Sequence, residues 1–437
     1  MREISSIRLQ KFLSVVCALI LLPTVANAAA SCVSKAKHGC FTTIQQAVNA
    51  ASPGSLIYVY PGTYPEMVTI RKPLTLSGFS LNGIGTRIDA SGLAHAIYIS
   101  GVSGGKVTVA KLTLENADRS GIVAENSSHV SLSGNTVSNN DKALNPVAAT
   151  CAHAYPFLGE DCGEGINLVG VSYSTVSGNI VKNNAGGILL SDETGATHDN
   201  LIADNSVFSN PFDCGITLAS HPPCLPGSND AVGCKGGPQI GKPSPGVYRN
   251  LVRSNNSHDN GAAGVGSYTP TPGTASHDNT FLDNTLVNNG QGGVLLHSHA
   301  PGQNLNGNVI EGNQIRGNGG DPDSEGANPP SVGIVVFSDA SAHAAPLTGI
   351  VVRKNTIHDE DVDLFVGTSA VNLTPSLNNL FPSSRTTVGL NNAGTGTIKA
   401  AHNYWGCPSG PGSGGCSSVE GSGVSTNPPL LFPYLGL

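Results

Sequence analysis

The side chains best suited to moving protons fall at recurring places in this sequence. Seven short phrases of Gly-aliphatic type, from Gly121-Ile122-Val123 to Gly333-Ile334-Val335-Val336, are followed by polar turns. Those turns hold Ser191-Asp192-Glu193, Ser220-His221, Ser267-Tyr268, His297-Ser298-His299 and Ser338-Asp339. Histidine titrates near neutrality and tyrosine can exchange a proton when its surroundings are tuned, so His221, Tyr268, His297 and His299 are candidate acid/base groups. Asp192, Glu193 and Asp339 stand beside them, and Glu164, Asn167, Asp213 and Thr217, on or next to the same phrases, are candidate substrate contacts.

Three functions fit these residue types. The favoured one is β-elimination or C5-epimerisation of a uronic-acid polymer, in which a base removes the proton beside a carboxylate; Tyr268, between His221 and His297, would supply the acid/base pair. The second is glycoside hydrolysis by two carboxylates, pairing Asp192 or Glu193 with Asp213 or Asp339. The third is a carbohydrate-binding or cell-surface structural protein without catalysis. Few Arg or Lys residues lie near the column, which counts against the first, and the 5% aromatic content is low for a sugar-binding platform. No cofactor is implied with certainty; a divalent cation such as calcium is the ion that Asp192, His221 and the His297/His299 pair could take.

Neighbouring stretches frame these residues. Segments 144–163, 222–246 and 318–331 lengthen the repeat and are rich in Pro, Gly and Cys, as expected of loops that wall a binding face. The phrase His-Asp-Asn recurs at 198–200, 258–260 and 277–279 and is read as turn-forming rather than metal-binding, because two of the three precede equivalent expected strands, Leu201-Ile202 and Thr280-Phe281.

The element that must position all of this is a repeat. Between the Gly-aliphatic phrases lies a second one: Leu132-Ser-Gly-Asn-Thr-Val137, Val176-Ser-Gly-Asn-Ile-Val181, Ile202-Ala-Asp-Asn-Ser-Val207, Phe281-Leu-Asp-Asn-Thr-Leu286 and Ile310-Glu-Gly-Asn-Gln-Ile315. A period of roughly 22–30 residues with short strands and no helical pattern between them describes a solenoid. Glycine would serve the sharp bends, and Asn135, Asn179, Asn205, Asn284 and Asn313 are expected to stack as an internal ladder. The fold class is therefore all-β, a single-stranded right-handed parallel β-helix. Thr42-Thr43-Ile44-Gln45 opens a short capping helix over 41–52, coils fill 55–400, and 401–437 closes the far end.

Bulk properties narrow the setting. Arg2, Arg8 and Lys11 precede an apolar run from Phe12 to Leu22 and the small residues Ala26-Asn27-Ala28, which reads as a signal peptide over 1–28 before a single domain at 29–437. No stretch is long enough for a membrane span. Removing 1–28 takes three basic residues and one acidic one, leaving 19 against 28 and a net charge of −9. Sparse, scattered Lys and Arg exclude a nucleic-acid footprint. The mature cysteines fall in the sets Cys32/Cys40, Cys151/Cys162, Cys214/Cys224/Cys234 and Cys407/Cys416, which suits local disulfides in an oxidising compartment with one odd thiol in the 214–234 set. A secreted, extracellular or periplasmic monomer with a polysaccharide partner is expected.

The motifs TIQQAVNAA, VYPGTY, the Ser/Asp-x-Asn repeats and NYWGCPSGP resemble those of the pectate-lyase-like parallel β-helix proteins. The nearest resemblance is to the periplasmic carbohydrate-binding and sugar-hydrolysis repeats, which include NosD-like proteins and alginate epimerases, and it extends over residues 40–433. It implies the fold; the polygalacturonase, alginate-epimerase and classical pectate-lyase signatures are absent, so it implies no catalytic residues.

Overall fold

The structure is a computed structural model that describes residues 30–81, 83, 85–143, 164–223, 229–230, 233–234, 239, 241–298, 302–321, 331–338, 347–367, 371–383 and 388–435. The expected leader, most of the three long segments, His299, Asp339 and the side chain of Ser338 lie outside them, as do Cys151, Cys162, Cys224 and the Cys234 side chain.

Each coil contributes one strand to each of three long sheets, which pair in parallel throughout. Sheet A has 11 strands from Ala30–Val33 to Val351–Arg353, sheet B has 11 from Gly62–Tyr64 to Asn379–Leu380, and sheet C has 12 from Val68–Ile70 to Ser418–Gly421. The chain visits A, B and C in turn, and strands of three to five residues dominate because a coil bends again so soon. Within each strand alternate residues face inward. Ile166 and Leu168 of Glu164–Val169 stack on Ile188 and Leu190 of Gly186–Ser191, and these on Ile216 and Leu218 of Ile216–Ala219, so one apolar core runs the length of the molecule.

Asparagine makes the corners. At the A-to-B corner Asn135 donates from Nδ2 and from its backbone N–H to Asn179 Oδ1, at 3.0 and 2.9 Å. The pattern repeats through Asn205, Asn255, Asn284, Asn313, Asn355, Asn378 and Asn403, which includes all five expected ladder members. Second and third ladders occupy the other corners: Asn140 to Asn318 between B and C, and Asn200 to Asn308 between C and A. The residue before a ladder Asn takes a positive φ, as at Gly134, Gly178, Asp204, Ser254 and Asp283, which explains the Gly-Asn and Asp-Asn phrases.

The Gly-aliphatic glycines have a different reason from the sharp bend expected of them. None of Gly121, Gly165, Gly187 or Gly215 adopts a positive φ. A Cβ on Gly187 would stand 2.1 Å from the Gly215 carbonyl oxygen of the next coil, and one on Gly121 would stand 2.6 Å from Asn140 Nδ2. Close approach of backbone and ladder excludes a side chain.

The ends are capped differently. The helix Ile44–Ala50 has Thr43 as its N-cap, accepting from Gln46 N–H, while the Glu66 carboxylate accepts the N–H groups of Ile44 and Gln45 at 2.8 and 2.9 Å. At the other end Trp405 is fully buried, and Cys407 bonds to Cys416 as Cys32 does to Cys40. Among the described residues Cys214 is a free thiol.

One coil breaks the glycine column. Asp363 occupies the register position held by Gly333 below and Gly389 above, is buried, and among the described residues has no hydrogen-bond partner for either oxygen. Burial, with Glu360 and Asp359 nearby, pushes its carboxyl well above the ordinary range. Glu360 ends the B-to-C ladder by accepting from Asn318, and burial raises it to about 7. A raised carboxyl favours the protonated fold, so this stability is intact below the unfolded value of about 4 and is lost as pH climbs toward the folded one. Asp363→Asn is expected to raise the Tm at pH 8 and to leave it unchanged near pH 4, measured by thermal unfolding across that range.

Candidate active site

Sheet C is the one whose outward face is largely withdrawn from solvent. Val123, Leu189, Leu295, Val335 and Phe365 alternate with core residues, so they point away from the coil interior, yet all are buried. Leu295, Val335, Phe337, Phe365 and neighbours form an apolar cluster separate from the main core. Polar groups interrupt this face between Glu164–Val169 and Val294–Ser298.

Along one edge stand two carboxylates and a thiol. Glu164 is 1% exposed and opposes Gly186 in the next strand. A Cβ at Gly186 would lie 2.0 Å from Glu164 Oε2, so the glutamate lies flat across that glycine toward the following coil. There Asp213 is 9% exposed and its Oδ1 accepts the Cys214 N–H at 2.6 Å. Burial first, then the charges of Asp213 and Glu164, hold the Cys214 thiol well above its ordinary range, so it stays protonated. Asn167, Leu189, Thr217 and Gly266 form the adjoining outward column, one per coil. Gly266 keeps it open, since its missing Cβ would sit 3.2 Å from Cys214 Sγ.

Along the other edge run Ala219, Tyr268, His297 and Phe337 in successive strands. Tyr268 is half-buried, while His297 is buried and shares a 2.8 Å hydrogen bond through Nε2 with Asp321, itself fully buried. Phe337 meets the His297 ring edge-on, with centroids 5.6 Å apart. The pair with Asp321 fixes the imidazole's orientation, as a carboxylate does for a working histidine.

Register corrects the single column expected from sequence. Ser191 pairs with Ala219 and Ala219 with Tyr268, so Tyr268 and His297 lie inside the strands, whereas Asp192, Glu193 and His221 belong to the turn beyond. In that turn the Asp192 carboxylate accepts from Ser220 Oγ at 2.9 Å and from the N–H groups of His221 and Gly246 at 2.8 and 2.6 Å. Burial, then the neighbouring Glu193, raises Asp192 to about 6. Its three donors give it the work of holding the turn. Glu193 Oε1 and His221 Nδ1 lie 2.6 Å apart and are buried together. Among the described residues no three or more His, Cys, Asp or Glu side chains converge as a metal site.

Asp321 was missed by sequence reasoning; it lies just past the ladder residue Asn318, inside a long segment whose path no periodicity foretells. The three His-Asp-Asn phrases do form corners: each Asp has a positive φ and bonds the Nδ1 of its own histidine at 2.7 Å, and each Asn enters a ladder.

A family model described as right handed beta helix region matches residues 77–231. Comparison with curated protein sequences gives no match. Among solved structures the chain is similar to the Dettilon tailspike protein gp208, at 13% identity and TM-score 0.54, over 85% of this chain and 62% of that one. It is similar to the catalytic domain of a GH87 α-1,3-glucanase solved with tetrasaccharides, at 14% identity and TM-score 0.53, over 91% and 68%. PfbA, a surface adhesin of Streptococcus pneumoniae, gives 12% identity and TM-score 0.50 over 83% and 80%. With its three parallel sheets the chain is thus a right-handed parallel β-helix protein of the pectate-lyase-like fold.

The crowding of Glu164 on Gly186 is testable. Gly186→Ala is expected to cost roughly 1–3 kcal/mol in denaturant unfolding, and the cost should shrink when Glu164→Ala is added, giving a favourable coupling in the double-mutant cycle.

Proposed function

We propose that the protein is an exported enzyme that hydrolyses a neutral polysaccharide on the outward face of sheet C. The observation that carries this reading is the pair of carboxylates, Glu164 and Asp213, on one edge of a face whose strands from Ile122 to Val366 contain no Lys or Arg. A polyuronate entering there would set its own carboxylates against two more, on strands that carry no Lys or Arg. A neutral glycan meets no such penalty, and two carboxyl groups are what glycoside hydrolysis requires: one protonates the leaving oxygen, the other activates water. Their strands are two rungs apart, so the backbones stand roughly 9–10 Å from each other, and Glu164 leans across Gly186 to shorten the gap. Asn167 and Thr217 would bond sugar hydroxyls. The fold's occurrence in an α-1,3-glucanase supports the substrate class, and the Cys32–Cys40 and Cys407–Cys416 disulfides with the N-terminal leader pattern support export.

A second reading rests on the register of Tyr268 with His297 and the hold of Asp321 on the imidazole. That arrangement favours proton abstraction, as in elimination or epimerisation of a uronate. In the hydrolytic reading the same two groups orient the sugar.

Purified protein should be assayed on neutral and acidic polysaccharides, following reducing ends, absorbance of unsaturated uronates and polymer NMR separately. Hydrolysis predicts new reducing ends from a neutral glycan, with Glu164→Gln and Asp213→Asn each losing roughly 10²–10⁴-fold. New unsaturation or C5 inversion, lost in Tyr268→Phe and His297→Ala but retained in Glu164→Gln, would replace it with the second reading.

A further inference from the structure

A stripe of aromatic rings follows the corner between sheets C and A, beyond the turn that holds Glu193 and His221. It runs through His129, Tyr173, His198, Tyr248 and His277, one ring per coil, with successive centroids 5.8, 5.3, 5.0 and 5.2 Å apart. Short parallel bridges and a three-stranded sheet, Thr197–His198, Val247–Tyr248 and Ser276–His277, hold the rings in register.

Packing alone does not account for the stripe. Tyr173 is 56% exposed and stands edge-on to His198 at 85° rather than continuing the stack. His198 and His277 fix their rings through Nδ1 on Asp199 and Asp278, so the stripe is held rigid where it meets solvent. Charge along it is neutralised locally: Arg249 pairs with Asp199 at 2.6 Å and lies 4.6 Å over the Tyr248 ring. The Asp199 carboxyl is pulled down to about 2, Arg249 contributing most.

We propose that this stripe is a second glycan-binding surface, distinct from the hydrolytic face, that takes an extended, uncharged polysaccharide chain running along the solenoid axis. Ring spacing supplies the argument. One aromatic per rung gives an interval comparable with the length of one pyranose unit, so successive sugars meet equivalent rings over four steps, about 20 Å. Stacked at 3° and 15°, His198, Tyr248 and His277 turn their ring edges outward while Tyr173 exposes its ring, so an apolar sugar face packs on Tyr173 and the Tyr hydroxyls and imidazole N–H groups along the stripe bond the hydroxyls of the following units. With Arg249 paired to Asp199, and a further carboxylate at Asp278, the stripe carries no excess of Lys or Arg to draw a polyanion instead. The surface would keep an insoluble substrate beside the active face. The proposal shares only its substrate class with the hydrolytic reading.

Retention of the full mature chain on insoluble cellulose, chitin, xylan and α-1,3-glucan tests it, with Tm measured for every variant. Wild-type protein should be retained on at least one of them, Tyr173→Ala and Tyr248→Ala should each weaken retention roughly fivefold or more, and Tyr173→Trp should restore it. Glu164→Gln should leave retention intact whether or not hydrolysis is found. Absence of wild-type retention on all four, or retention unchanged by both alanine variants, overturns the proposal. Weakened retention that tracks a fall in Tm and is not restored by Tyr173→Trp also overturns it, since the rings would then be structural.

Discussion

The whole molecule depends on a corner that a polypeptide can turn without leaving a polar backbone group unpaired in its interior. A coil three strands around must turn three corners within about two dozen residues, and each corner tilts N–H and C=O groups away from the sheets. Here a residue with positive φ makes the bend and the following asparagine satisfies what the bend exposes: Asn205 donates to Val176 O and to Asn255 Oδ1, while its own Oδ1 accepts from Asn179. Leaving a buried donor or acceptor unmade costs about 1–3 kcal/mol, so a ladder of such residues decides between this fold and an open chain. Because the Asn side chain also reaches the next coil, the device that bends one rung fixes the register of its neighbour. Every outward side chain then takes its position from the stack.

That dependence explains what could be read from sequence. Ladder residues such as Asn135 and Asn313 recur at the same point of each repeat because each does the same job, and inward Ile and Leu recur because the core has one width. Thr43 announced the helix, and the cysteine pairs 32/40 and 407/416 were visible from their spacing. The glycines at 121, 165, 187 and 215 were legible as a pattern but not in their cause, since a collision with the next coil's carbonyl is a tertiary event.

The site was legible only in part, for the same physical reason. Tyr268 and His297 were found as titratable residues in the turns expected after the Gly-aliphatic phrases, but placing them level with Asp192 and His221 missed the register by one residue and by two, so what was read as one column is a strand edge and the turn beyond it. Asp192 looked like a reacting group; its three donors show a carboxylate spent on the turn. Glu164 and Asp213 carried no motif, and their placement on one edge of sheet C exists only once coils are stacked. Asp321 reaches His297 from a segment outside the repeat, where periodicity has nothing to say.

The glycine column has one further consequence. Since no side chain can grow where Gly187, Gly215 and Gly264 pass beneath the next coil, that line along the solenoid is a strip of bare main chain, closed to mutation by geometry rather than by any task it performs. It follows the corner between sheets B and C, and beyond it each strand presents an inward and an outward face. On one side substitutions are judged by volume, on the other by chemistry, so the outward face can change its reactive groups coil by coil while the core beneath is left untouched. The exception at Asp363 marks the coil where that strip is interrupted.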